Sequence, residues 1–262
     1  RIARRLPRPG RMLAAFLAAA TLAGLVALVS GPWLRVAGVG WRGERLTPSD
    51  AIADRLVPLH GAPLLAVDTT TLAARLETLP AVADARVRAL LPGRVDVTLT
   101  EKRPELVWQT RGARFLGAAD GTLLVSLPVD APLTGELAAM PRVVDARRAS
   151  RYLEVGDVLP ATLLDTARRL ASLDPARLGS AAGSLALKIE DEHGFVLVPR
   201  GVPWRAAFGF YGAEPGETAD EVAARVERQV TAVRTLFATH PESTVGWVDA
   251  RNPGKVYFRA GG

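Results

Sequence analysis

The chain has 262 residues, enough for about two small cores at ~150 residues per domain, with 48% hydrophobic and 23% charged side chains. That balance excludes a disordered chain and a many-span membrane protein, and the absence of cysteine excludes disulfide frameworks, thiolate metal sites and thiol nucleophiles. Six of the 33 basic residues (Arg1, Arg4, Arg5, Arg8, Arg11 and Arg35) lie within residues 1–35, which hold no acid, so the 27 basic residues of 36–262 are balanced by 27 acids and offer no cationic surplus to a nucleic acid.

From Met12 to Leu34 run 23 residues without a charge, against the ~20 that an α-helix needs to cross ~30 Å of hydrocarbon. Gly31-Pro32 closes the stretch beside Trp33, an aromatic suited to the membrane–water interface. A cleaved signal peptide would have an apolar core of ~7–15 residues and small residues before the cut, and Leu25 to Ser30 contains no Ala-x-Ala pattern. The segment is therefore expected to be a transmembrane anchor over residues 12–34. Arg1, Arg4, Arg5, Arg8 and Arg11 set its orientation, holding a basic arm of residues 1–11 in the cytoplasm and the bulk of the chain outside, a single-pass type II arrangement. No later stretch of ~18 residues lacks charge.

Beyond the anchor, the apolar stretch Val39 to Trp41 precedes a helix start at Thr47-Pro48-Ser49-Asp50. Thr47 suits the N-cap, Pro48 the first helical position, and Asp50 the positive end of the helix dipole. Ile52 and Leu56 give that helix an apolar face. After a turn at Gly61 to Leu65, Asp68 caps a second helix with Leu72, Leu76 and Leu79 at helical spacing, stopped by Pro80. Residues 84–89 and the alternating Val95, Val97 and Leu99 then form a hairpin about Pro92-Gly93. The order strand, helix, helix, strand, strand predicts a three-stranded sheet with two helices on one face.

Pro104 breaks that pattern. Leu106 to Trp108 reads as a strand, and Phe115-Leu116, Asp120-Gly121 and Leu123 to Val125 as a hairpin. Residues 128–141 read as an irregular connection, and residues 161–173 as a helix with Leu164, Ala167 and Leu170 on one face. Leu185 to Ile189 and Phe195 to Val198 alternate as strands about a turn at residues 191–194. Thr218 to Thr239 is the longest amphipathic segment, with Val222, Val226, Val230, Val233 and Phe237 on one side and a charged side expected to be solvated. Two strands follow, Val245 to Val248 and Lys255 to Arg259, joined at Asn252-Pro253-Gly254. The fold class is α+β, with a mixed β-sheet and packed helices in this second part.

No enzyme motif accompanies these elements. Gly38 to Gly43 matches G-x-G-x-x-G, but no helix opens directly from it, as a dinucleotide site requires. His60, His193 and His240 lie far apart, and Asp191-Glu192-His193 reads as a charged turn rather than a metal site. No catalytic residue, cofactor, metal or small-molecule substrate is expected.

The run Val36 to Gly43, then Thr47-Pro48-Ser49-Asp50, Gly61-x-Pro63-Leu64-Leu65-x-Val67-Asp68, Leu79-Pro80-x-Val82, Leu91-Pro92-Gly93-x-Val95-x-Val97 and Glu101-x-Arg103-Pro104 resembles the POTRA domain of the FtsQ/DivIB cell-division proteins. Residues 104–262 are similar to the β domain of the same family through Phe115-Leu116, Asp120-Gly121-Thr122, Met140-Pro141, Gly156 and Val248-Asp249-Ala250-Arg251. They depart from it in lacking a lysine near the start of the long helix and in a longer Pro203 to Gly216 connection.

The resemblance implies a POTRA domain over 35–103 and an FtsQ-type β domain over 104–262. It also implies a non-enzymatic divisome assembly protein in the cell (inner) membrane at the division septum. The implied partners are FtsB- and FtsL-like bitopic proteins, with FtsW/FtsI-type septal synthase and FtsK-type protein beyond them. A POTRA-containing envelope transport or chaperone component is the alternative, but residues 104–262 are too short for a barrel of eight ~10-residue strands and contain two helices. Physics suggests where a partner docks: the last strand is expected at a sheet edge open to β-augmentation. Tyr257 and Arg259 would face outward there, with Val256 and Phe258 holding the strand to the core. The candidate contact residues are Asn252, Lys255, Val256, Tyr257, Phe258 and Arg259, and the family's partner site maps to this strand and the helix before it.

Overall fold

The computed structural model describes residues 9–31, 34–211, 218–252 and 254–261, and the chain falls into two units, Arg1–Glu101 and Lys102–Gly262. The first begins with helix α1 (Pro9–Ser30), rich in Ala and Leu, which lose little freedom in a helix. It starts before Met12 and stops four residues short of Leu34. Its described side chains, residues 13–27, are all exposed. Among the described residues no helix is long and apolar enough to cross a membrane, so the expected span is not established by the fold. Arg1, Arg4, Arg5 and Arg8, the side chain of Arg11, and Pro32 and Trp33 lie outside the described residues.

The rest of this unit comprises β1 (Gly38–Arg42), α2 (Ser49–Leu56), α3 (Thr69–Glu77), β2 (Val82–Leu90) and β3 (Arg94–Glu101). The sheet order is β1-β3-β2, with β1 parallel and β2 antiparallel to β3. Alternation along β3 buries Val95, Val97 and Leu99 on one face, where Ile52 and Leu56 of α2 and Leu72 and Leu76 of α3 close the core. Asp68 caps α3 as its sequence requires, accepting from the N–H groups of Thr70 and Thr71 at 3.0 Å each. The start of α2 differs from expectation. Pro48, not Thr47, occupies the N-cap position, and no side chain caps the helix. The loop before it is instead held by Glu101, whose carboxylate accepts from the N–H groups of Arg45, Leu46 and Thr47 at 2.8–2.9 Å. G-x-G-x-x-G residues Gly38 and Gly40 sit within β1.

The second unit is built on β4 (Pro104–Gln109), β5 (Arg114–Ala118), β6 (Leu123–Leu127), α4 (Glu136–Ala139), β7 (Arg142–Asp145), α5 (Ala161–Ala171), β8 (Leu185–Glu190), β9 (Gly194–Pro199), β10 (Arg205–Gly209), α6 (Ala219–Thr239), β11 (Val245–Asp249) and β12 (Tyr257–Ala260). Its nine strands run β12-β11-β10-β9-β8-β7-β4-β5-β6. Leu164, Ala167 and Leu170 of α5 and Val222, Val226, Val230 and Val233 of α6 are buried in one cluster with Trp108, Phe195, Leu197 and Phe208 of the sheet. Thr218 and Glu221 form a reciprocal capping box that starts α6.

Two strands were not legible. β7 follows directly on the irregular connection 128–141, where the sequence reading places no element, and is only four residues long, held between parallel neighbours β4 and β8. β10 lies inside the stretch read as a long connection. Its Ala206 and Ala207 are poor strand formers that succeed because β9 and β11 enclose them completely. Residues 212–217 of that connection lie outside the described residues.

Candidate functional site

The nine-stranded sheet is open, and β12 forms one of its edges. It pairs antiparallel with β11, through Phe258 opposite Val248 and Tyr257 opposite Asp249. Its other side carries backbone N–H and C=O groups with no strand beside them among the described residues, the usual template for an added strand. The expected strand at Lys255 to Arg259 starts two residues later than read. Lys255 closes the turn by donating its N–H to the Asn252 carbonyl at 3.0 Å, and Val256 packs against the core between turn and strand.

Alternation then separates the aromatic side chains. Phe258 was expected to hold the strand to the core, but it is 40% exposed and lies outside the core cluster. Its ring tilts against His240 just past α6, 4.7 Å between centroids. A strand with neighbours on one side only cannot fully enclose a side chain of that size, which is the physical reason for the difference. Tyr257 is 57% exposed on the opposite face. Arg259 lies opposite Trp247, whose ring also meets His193 at 4.7 Å and the guanidinium of Arg205 at 6.0 Å. On the same side, the Arg251 guanidinium grips Asp249 at 2.6 Å and holds its carboxyl below the usual carboxylate range, although partial burial opposes this.

Beside the edge lies an open groove of about 640 Å³ between the outer face of α6 and residues 254–256. Small and short side chains make it: Ala232, Thr231, Thr235 and Thr239 line its floor, with Val256 and Arg228 at its margins. Two of the threonines spend their hydroxyls on the helix itself, Thr235 donating to the Thr231 carbonyl at 2.9 Å and Thr239 to that of Thr235 at 3.2 Å. Glu227, Arg228, Thr231, Thr235 and Thr239 on this face are exposed, as expected of a solvated helix side, and the recurrence of Thr every fourth residue beside Ala232 makes it a shallow recess.

Gln229 holds α6 in place against the strand ends. Its side-chain N–H groups donate to the carbonyls of Phe208 at 3.0 Å and Ala250 at 2.7 Å, and its carbonyl accepts from the Tyr211 hydroxyl. It is 1% exposed and stands among the valines of the apolar face. One side chain thus ties the ends of β10 and β11 to the helix that borders the groove.

Of the expected contact residues, Asn252, Lys255, Val256, Tyr257, Phe258 and Arg259 are gathered on one turn and one edge strand. Arg1, Arg4, Arg5, Arg8 and the Arg11 side chain, expected to orient the chain, lie outside the described residues. His193 meets the Trp247 ring edge-on, and His240 is tilted against Phe258. Among the described residues no three His, Asp or Glu side chains come together as a metal site would need.

Comparison with known proteins agrees with this architecture. Residues 35–102 match the family model of the POTRA domain, FtsQ-type. The cell division protein FtsQ of Chloroflexus aurantiacus is 32% identical over 136 residues, 52% of this chain and 47% of that protein. FtsQ of Streptomyces bingchenggensis is 35% identical over 128 residues, 47% of this chain and 48% of its own length. FtsQ of Streptomyces venezuelae is 34% identical over 186 residues, which cover 66% of this chain and 68% of the relative. The alignments thus span about half the length of two of these relatives and two thirds of the third. With a POTRA module over 35–102 and a matched length that extends well beyond it, the chain belongs to the FtsQ/DivIB family of cell-division proteins.

Proposed function

We propose that this FtsQ-family chain is a non-enzymatic, single-pass scaffold of the division machinery that captures FtsB- and FtsL-like partners by strand addition at β12. The observation that carries the reading is the open edge of β12, with Tyr257 and Phe258 exposed on its two faces and a groove on α6 bordered by Gly254 and Val256 just before it. An added strand would satisfy the free backbone groups, the aromatic rings would supply hot-spot area, and Lys255 and Arg259 would favour an acidic partner segment. FtsW/FtsI-type and FtsK-type proteins are further partners under this reading. An envelope transport role gains no support from the second unit, since among the described residues its sheet ends in two edges, β12 and β6.

Anchoring is part of the same proposal. It rests on the 23 uncharged residues from Met12 to Leu34, against the ~20 needed to cross ~30 Å of hydrocarbon, most of which fall within α1. Phe16, Leu17, Leu22, Leu25 and Val26 are exposed around it, an arrangement stable in an apolar surrounding. Thr21, the one polar side chain between residues 13 and 27, donates its hydroxyl to the Leu17 carbonyl at 2.8 Å, so no side-chain group there demands water. The basic arm then stays cytoplasmic by the positive-inside rule.

The test is co-purification of the full chain from membranes with an FtsB/FtsL-like pair. Wild type should bind. Tyr257→Glu should weaken binding by about 30-fold or more, the effect of losing a hot spot of ~2 kcal/mol. Its unfolding midpoint should stay that of wild type, because the ring is largely exposed. Absence of binding by wild type, or full binding by Tyr257→Glu, would sink the reading.

A further inference from the structure

The large apolar side chains exposed in residues 35–101 are Val57, Leu65, Leu90 and Leu91, and three of the four gather at one end of the sheet. Leu90 and Leu91 form the tip of the β2–β3 hairpin, followed by Gly93. The Gly93 carbonyl accepts from the N–H groups of Ala37 at 2.8 Å and Gly38 at 3.3 Å. A Cβ on Gly93 would lie 2.4 Å from the carbonyl oxygen of Arg35, so only glycine permits this contact. The same segment meets the 61–63 turn, where Val36 donates to the Ala62 carbonyl at 2.9 Å and Arg35 bridges Pro63. Leu65 stands two residues further on.

Three exposed leucines therefore lie within two or three residues of the backbone segments that meet Arg35, where the chain leaves for α1. Arg35 is five residues beyond Ser30, the last residue of that helix, no more than about 17 Å of extended chain. The tip is also basic. Arg35, Arg88 and Arg94 are exposed around it, and Leu90 shares the helix-free face of β2 with Arg88. Asp96 pairs with Arg94 at 2.6 Å one step along the strand. Apolar side chains ringed by arginines match the headgroup region of an anionic bilayer, where methyl groups enter the interface and guanidinium groups meet phosphates.

We propose that the hairpin tip at Leu90 and Leu91, with Leu65, seats on the anionic lipid surface from which α1 emerges, fixing the orientation of this module to the membrane. The inference rests on the reading of α1 as a transmembrane helix. Tethering supplies the effective concentration, so a contact too weak to bind free vesicles suffices.

The chain has no cysteine, so single cysteines can be labelled one at a time with an environment-sensitive fluorophore. Full chain would be reconstituted into phosphatidylethanolamine/phosphatidylglycerol vesicles containing lipids with a nitroxide quencher at a shallow acyl position. Three sites serve: Leu91→Cys at the tip, Ala19→Cys within α1, and Thr100→Cys as the control, an exposed residue about 20 Å along β3 from the tip. The expected result is quenching at position 91 several-fold above that at position 100, lost when Arg88→Glu and Arg94→Glu are added. Quenching at 19 with equal signals at 91 and 100 would overturn the seated tip and leave the span standing. An unquenched label at 19 would overturn the span and the seating with it. Undiminished quenching at 91 in the doubly substituted chain would refute the contact between arginines and phosphates.

Discussion

Gln229 illustrates how one residue can be decisive without looking so. It interrupts the valine stripe of α6, yet it is buried and fully engaged, with two strand-end carbonyls as acceptors and the Tyr211 hydroxyl as donor. A leucine of similar size would fill the space but strip the Phe208 and Ala250 carbonyls of their partner in a site that water cannot reach. Leaving buried acceptors unpaired costs about 1–3 kcal/mol each. Gln229→Leu is therefore expected to lower the unfolding free energy by about 2–4 kcal/mol in urea denaturation, and an unchanged midpoint would show that the network carries no weight. Glu101 makes the same point in the first unit. Its three backbone donors lie more than 50 residues earlier in the chain, so local pattern assigned the capping role to Thr47 when a distant carboxylate holds that loop.

At the scale of elements, strong periodicity and strong caps were readable and short central strands were not. α6 declares itself through Thr218, Glu221 and the recurring valines, and the capping box forms with Thr218 donating its N–H to the Glu221 carboxylate at 2.8 Å. Thr218→Ala should cost about 1 kcal/mol. Because α6 borders the groove beside β12, the same variant should fray that helix first, seen as faster amide exchange in its opening turn while the centre near Val230 stays protected; uniform exchange along the helix would contradict this. β10 has no comparable local signal. Alanines and glycine carry no alternation that a reader could trust, and the strand exists because β9 and β11 offer it ladders on both sides.

Over the whole molecule, the two units keep separate cores. The smaller closes around Ile52, Leu76 and Val97, the larger around Trp108, Phe195 and Val233, and no residue belongs to both clusters. A soluble 35–262 fragment is therefore expected to show two calorimetric transitions, the smaller unit melting first because a domain of its size buries a smaller fraction of its surface. A single transition matching the calorimetric enthalpy of the whole fragment would reject that independence. The sequence by itself determined the apolar N-terminal segment, the helix-and-hairpin module, the amphipathic helices and the family, because caps, turns and hydrophobic period are local properties. The position of β12 at an open edge was inferred from order along the chain, but only the tertiary structure decided which of its side chains are exposed, since exposure depends on neighbours brought from elsewhere. The groove on α6 and the joining of the hairpin tip to the residues after α1 were likewise decided there, for both arise from backbone segments that are remote in sequence and meet only when the sheets assemble.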